Sequence, residues 1–77
     1  MTKREMLDEI AAIMDLEEGS LSGDEKLEDL PWTSLTAMAY VALCDYKFDV
    51  SLNAADLKAC HIVNHLLQLV SEHLSDD

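Results

Sequence analysis

Over the first turns of the chain, apolar residues recur at three- and four-residue steps. Met6, Leu7, Ile10, Ile13 and Met14 form one stripe, which predicts an amphipathic helix I over about 3–16. In front of it, Thr2-Lys3-Arg4-Glu5 has the spacing of a capping box. Glu5, Asp8, Glu9 and Asp15 fall mostly off the stripe and read as a solvated face. The pattern then turns polar and breaks. Gly19, Gly23 and Pro31 are the chain's only glycines and proline, and they predict a loop over about 17–32. Leu21, Leu27, Leu30 and Trp32 are spaced along this loop as anchors that pin it across helix ends. A second helical segment, II, is expected over about 34–47 with Thr33 as its N-cap. Residues 34–44 carry no charge. A helix apolar nearly all round is either central or offers a contact surface, and a domain this small cannot surround it, so one face is expected to meet something else. Phe48-Asp49-Val50-Ser51-Leu52 reads as a connector. Asn53 is placed to cap a short helix III over about 54–59, containing Ala54, Ala55, Leu57 and Ala59. Helix IV is expected over about 62–74, with Ile62, Leu66, Leu69, Val70 and Leu74 as its stripe and Val63 and Leu67 widening it. The whole reads as a single all-α domain, 1–77: a small four-helix bundle with a short third helix and a long loop between helices I and II.

Composition narrows the function classes. With 16 acidic against 5 basic residues and a net charge of −11, a nucleic-acid partner is not expected, because phosphate backbones are bound by Lys and Arg. A hydrophobic share of 49% argues against disorder. The uncharged apolar run Ala37–Cys44 is far short of the roughly 18 residues of a membrane span, so no membrane insertion is expected. The first residues lack the apolar region of a signal peptide, and 2 Cys do not make a disulfide scaffold. The expected setting is a reduced cytoplasm, with the chain acting as a monomer. Cys44 and Cys60 read as small buried hydrophobes. A core this small does not favour a self-sufficient enzyme.

Candidate chemistry is sparse. The loop acids Glu17, Glu18, Asp24, Glu25, Glu28 and Asp29 do not follow the ligand order or the glycine position of an EF-hand. His61 and His65 are four apart with Cys60 adjoining, but without a paired Cys motif they read as cap and surface residues, and no metal site is assigned. The informative segment is Leu27-Glu28-Asp29-Leu30-Pro31-Trp32-Thr33-Ser34-Leu35. Ser34 sits where the long loop meets a helix N-terminus, with unpaired amides and a favourable dipole. A phosphodiester on Ser34 would be well placed there; the same geometry also suits an ordinary helix-start serine.

The chain resembles the acyl carrier protein family over nearly its whole length. Thr33-Ser34-Leu35 matches the Ser and Leu of the family's Asp-Ser-Leu motif, which opens helix II and bears the prosthetic group. Met38, Val41 and Leu43 share the aliphatic character of that helix. Phe48-Asp49-Val50-Ser51-Leu52 resembles the segment after it, the Leu57 region resembles helix III, and Ile62, Leu66 and Leu69 fall at the spacing of helix IV. The resemblance implies that Ser34 carries 4′-phosphopantetheine, attached from coenzyme A by a phosphopantetheinyl transferase. It further implies that acyl groups ride on the arm as thioesters between acyl-loading and acyl-transferring enzymes, in fatty-acid or specialised lipid or secondary-metabolite synthesis, and that the carrier itself catalyses nothing. Aminoacyl or peptidyl cargo, or an unmodified carrier-like interaction module, are the alternatives. The partner-binding positions implied are Trp32, Thr33, Leu35, Thr36, Met38, Ala39, Asp45 and Asp49.

The chain departs from that pattern in its charges. Thr33 stands where the family has Asp, and Thr36 and Ala39 stand where acids are frequent. Charge complementarity raises association rates and chooses partners, so the thinned acidic face implies a specialised carrier. Ala37, Ala39, Ala42, Ala54, Ala55 and Ala59 are good helix formers that also leave room for an acyl chain between helices II and III. Trp32 reads as a loop anchor or as a contact for the arm or a partner.

Overall fold

Thr2 sets the start of the first helix. In the computed structural model, which describes residues 1–75, its hydroxyl accepts from the Glu5 amide at 3.0 Å and Glu5 Oε1 accepts from the Thr2 amide at 2.8 Å. Both bonds satisfy otherwise unpaired first-turn donors; the Thr2 amide, helped by the Thr2 side chain, holds the Glu5 carboxyl below its ordinary value. Helix α1 (Lys3–Ile13) buries Met6, Leu7, Ile10 and Ala11. It stops three residues short of the expected 16, at Asp15, whose φ is +58°. There the Leu16 amide donates to Ala11 O at 2.8 Å and the Asp15 amide to Ala12 O at 3.1 Å. This is a left-handed helix terminus built on Asp instead of glycine, and it turns Leu16 back against the core.

Residues 17–32 run without α-helix and include one 3-10 turn, Leu27–Asp29. Leu21 and Leu27 are buried, and Leu30 and Trp32 pack partly against the core, so the anchors work as expected. The loop is also laced to the last helix. Gly23 O and Glu25 O accept from the amides of Asn64 (2.8 Å) and Val63 (3.0 Å), and the Leu27 amide donates to His61 O at 2.9 Å. His65 Nδ1 accepts from the amides of His61 (3.0 Å) and Ile62 (3.4 Å). Loop carbonyls and one imidazole thus satisfy the first-turn donors of a helix that has no Ser, Thr, Asp or Asn at its cap.

Several acids read from the sequence as solvated have internal partners. Glu25 accepts from the Ser22 amide (2.7 Å), the Ser22 hydroxyl (3.1 Å) and the Gly23 amide (2.8 Å). Asp24 accepts from Asn64 Nδ2 (3.3 Å), and Asp8 accepts from the Gly19 amide (2.9 Å).

Helix α2 (Ser34–Phe48) ends at Asp49, also left-handed at φ +57°. Helix α3 (Ala54–Lys58) is held by a reciprocal box in which Asn53 and Asp56 each accept from the other's amide at 3.0 Å. The expected helix IV is shorter than 62–74: α4 spans Val63–Gln68, and a separate 3-10 turn covers Ser71–His73. The Tyr40 hydroxyl on α2 donates to Leu66 O at 2.6 Å, taking one of the two acceptor sites of the carbonyl that an α-helix would offer to the Val70 amide. Val70 donates instead to Leu67 O (3.1 Å) and Leu69 to Leu66 O (3.3 Å), the shorter 3-10 pattern.

Among the described residues there are four α-helices and no strands, only isolated bridges. Helix α1 packs on α2 and α4, and α2 on α3, with a radius of gyration of 11.1 Å. Tyr40, Met6, Ile10, Leu66, Val63, Val70 and Cys44 are fully buried at the centre. The two ends of the described chain meet. The Lys3 amide donates to Ser75 O at 3.1 Å and the Ser75 amide to Met1 O at 3.0 Å, a parallel bridge between Thr2 and Ser75. No helix among the described residues is long and apolar enough to cross a membrane.

Candidate functional site

Four residues at the start of α2 build the local frame. Thr33 is extended, and Thr36 Oγ1 accepts from its amide at 2.7 Å while donating to its carbonyl at 2.9 Å. Thr33 Oγ1 accepts the Thr36 amide at a longer 3.4 Å. This box uses the Thr36 amide and leaves the Ser34 and Leu35 amides without an acceptor among the described residues. Ser34 is exposed, and its hydroxyl bonds to no described residue. No acidic side chain lies in the first turn of α2, so nothing there opposes an anion at its positive end.

Trp32 fixes the approach to this turn. It is half-buried and meets the fully buried Tyr40 edge-on, with ring centroids 6.3 Å apart. On the other side of Trp32 and Ser34, a groove of about 640 Å³ opens between α2 and residues 52–60. Ala37, Met38 and Val41 line one wall, and Leu52, Ala54 and Leu57 the other. Trp32 and Cys60 are also in contact with it, and its polar fringe is Thr33, Ser34, Asn53 and Lys58. Its size falls among those of small-molecule sites. A second cavity of about 490 Å³ shares Trp32 and Cys60 but is lined otherwise by Lys26, Leu27, Glu28, His61 and Ile62. No family model, curated protein or solved structure matches the chain.

The structure gathers some of the candidate residues and separates others. Trp32, Thr33, Ser34 and Met38 border one groove. Leu35 (79% exposed), Met38 (71%) and Ala39 face solvent beside it. Ala42 and Tyr46 (85% exposed) continue that face down the helix, so α2 presents an uncovered apolar stripe. Thr36 is half-buried and committed to the cap. Asp45 and Asp49 are exposed, but they lie 11 and 15 residues beyond Ser34, roughly 16–22 Å along the helix. They do not share the serine's surroundings. Of the small residues expected to make room for a chain, only Ala37 and Ala54 border the groove.

The buried groups are inert. Burial pushes the Cys44 thiol up, and burial with a smaller contribution from Asp56 pushes up Cys60, which lowers the thiolate fraction on which nucleophilicity depends. Burial, then Cys44 nearby, raises the Tyr40 hydroxyl. His65 spends Nδ1 on the α4 cap. Among the described residues no group of three or more His, Cys, Asp or Glu is arranged to hold a metal.

The sequence pattern assigned no site role to Val41, Leu52, Asn53, Leu57 or Lys58, which also border the groove. Lys58 follows Ala54 by four residues and Leu57 by one, a register that puts it beside the groove-facing side of α3.

Proposed function

We propose that this chain is a carrier that bears 4′-phosphopantetheine on Ser34 and moves thioester-linked acyl groups among partner enzymes. The observation that carries this reading is the pairing of an exposed, unbonded Ser34 hydroxyl at the opening of α2 with an apolar groove that begins beside it. The residues present fit the group. The free Ser34 and Leu35 amides can donate to a phosphodiester at a helix start, and the groove walls can shelter an apolar chain at about 0.8 kcal/mol per buried CH₂. When attached, the group supplies a terminal thiol for the thioester. The chain's own residues position the serine, through the Thr33–Thr36 box and the Trp32–Tyr40 contact.

The resemblance to acyl carrier proteins in the order of Ser34, the Phe48–Leu52 segment and the last helix supports the same reading. A phosphopantetheinyl transferase and acyl-loading and acyl-transferring enzymes would meet Leu35, Met38 and Ala39, in the cytoplasm. Because the first turn of α2 has no acid, that contact is apolar more than ionic, which favours partners of a specialised pathway.

Incubation with coenzyme A and a broad-range phosphopantetheinyl transferase tests the reading. Wild type gains the phosphopantetheine mass, and Ser34→Ala does not while keeping its helical circular dichroism. A wild type that stays unmodified, or an alanine variant that is still modified, overturns it. The uncovered stripe of Leu35, Met38 and Tyr46 favours one second reading, an unmodified module that docks through α2.

A further inference from the structure

The groove beside Ser34 has apolar walls and one cation at its rim. Lys58, in the last turn of α3, is the single charged side chain among its lining residues. The chain has only 5 basic residues against 16 acidic ones, so a lysine here stands against the charge of the whole molecule. It makes no ion pair or hydrogen bond with a described residue. Asp56, the acid nearest in sequence, has Oδ2 engaged with the Asn53 amide.

We propose that this groove takes an acyl group whose far end is a carboxylate: a dicarboxylic acid held as a thioester at one end, with the other end facing Lys58. A neutral chain would need no cation at the rim. A cargo ending in an ammonium group would meet Lys58 with like charge, which disfavours aminoacyl cargo. A carboxylate gains from Lys58 what the rest of a −11 surface denies it, while its methylenes face Ala37, Val41, Leu52 and Leu57. The proposal deepens the carrier reading and rests on it for the source of the ligand. The groove's preference is a property of the folded chain and is measured without modifying Ser34.

The test titrates the unmodified full chain with monomethyl suberate, dimethyl suberate and the methyl ester of ω-amino-octanoic acid. Trp32, the one tryptophan, borders the groove and reports binding by fluorescence, and the Leu57 and Lys58 amides report it by NMR. Monomethyl suberate is expected to bind about two- to fivefold more tightly than the diester, the range of an exposed charge pair, and the amino ester more weakly than the diester. Added salt reduces the preference. Lys58→Gln abolishes it, and Lys58→Arg keeps it. Equal affinity for acid and diester, a preference that survives in Lys58→Gln, or no shift of the Leu57 and Lys58 amides with any probe overturns the proposal. Failure of the carrier reading is seen separately, in the mass of wild type after incubation with coenzyme A.

Discussion

Replacing Tyr40 with Phe removes one oxygen and nothing else from the centre of the fold. The ring keeps its place beside Trp32, so the packing loss is small. What is lost is a 2.6 Å hydrogen bond from a fully buried hydroxyl to Leu66 O. A typical net contribution is about 0.5–1.5 kcal/mol, more if the partner is left bare. Leu66 O keeps the Leu69 amide at 3.3 Å, so the lower figure applies, and Tyr40→Phe is expected to cost about 1 kcal/mol. For a chain this size the unfolding entropy is about 0.16 kcal/mol/K, which converts that loss into a Tm drop of about 6 °C.

The same residue makes a second, independent signature. Burial holds the Tyr40 hydroxyl well above its ordinary value of 10.0. Its stabilisation is therefore complete below that value. It is lost as pH rises beyond, because the unfolded chain releases this proton and the folded chain does not. Each pH unit above 10.0 costs wild type about 1.4 kcal/mol that Tyr40→Phe does not lose. Burial also raises Cys44 and Cys60, but Tyr40 works to lower Cys44 in wild type alone, so Cys44 loses more in Tyr40→Phe and offsets part of the difference. Urea unfolding of the two from neutral pH to pH ~11 measures both effects. Equal stability at neutral pH, or parallel alkaline profiles, would refute this account of Tyr40.

Gly23 has φ +112°, and a Cβ there would collide with the Asn64 side-chain amide. Gly23→Ala is thus expected to destabilise by about 2–4 kcal/mol in thermal or urea unfolding, and adding Asn64→Ala should recover part of that loss. Gly19→Ala meets nothing within 4 Å, although its φ is +83°; about 1 kcal/mol is expected there. Desolvation works to raise the Glu25 carboxyl, but the Ser22 and Gly23 bonds outweigh it and leave the group below its ordinary value of 4.5. Its stabilisation is present above that value and lost as pH falls below it, so the Tm difference between wild type and Glu25→Gln should close in acid; a gap that persists there counts against this role.

Helix existence was legible where periodicity was strong. The Thr2–Glu5 box, the Thr33 cap and the Asn53 cap could all be read from short-range residue types, and α2 and α3 fall within about a residue of their expected ends. The failures have long-range causes. Helix α1 gives way after Met14 to Asp15 in a conformation usually left to glycine, which brings Leu16 against the core. Helix α4 tightens where the Leu66 carbonyl takes a hydroxyl from Tyr40, 26 residues away, which no local pattern on α4 records. The apolar character of 34–44 announced an uncovered face, and Leu35 and Met38 supply it. Lys58 went unnoticed because a lone lysine at a helix end is common; only the packing of α3 beside α2 gives it a groove to border.

The bridge between Thr2 and Ser75 brings the two ends of the described chain within hydrogen-bonding distance, and that has a topological consequence. The backbone is nearly a closed ring, opened at one point. A short linker across that point would make a circular permutant with little change in end-to-end entropy, and a cut in the exposed stretch near Gly19 is the natural place for new termini. By the same geometry, the domain can be inserted into a surface loop of another protein without prying the host's strands or helices apart. Tension applied through its ends would meet two parallel hydrogen bonds loaded in shear before it reached any helix.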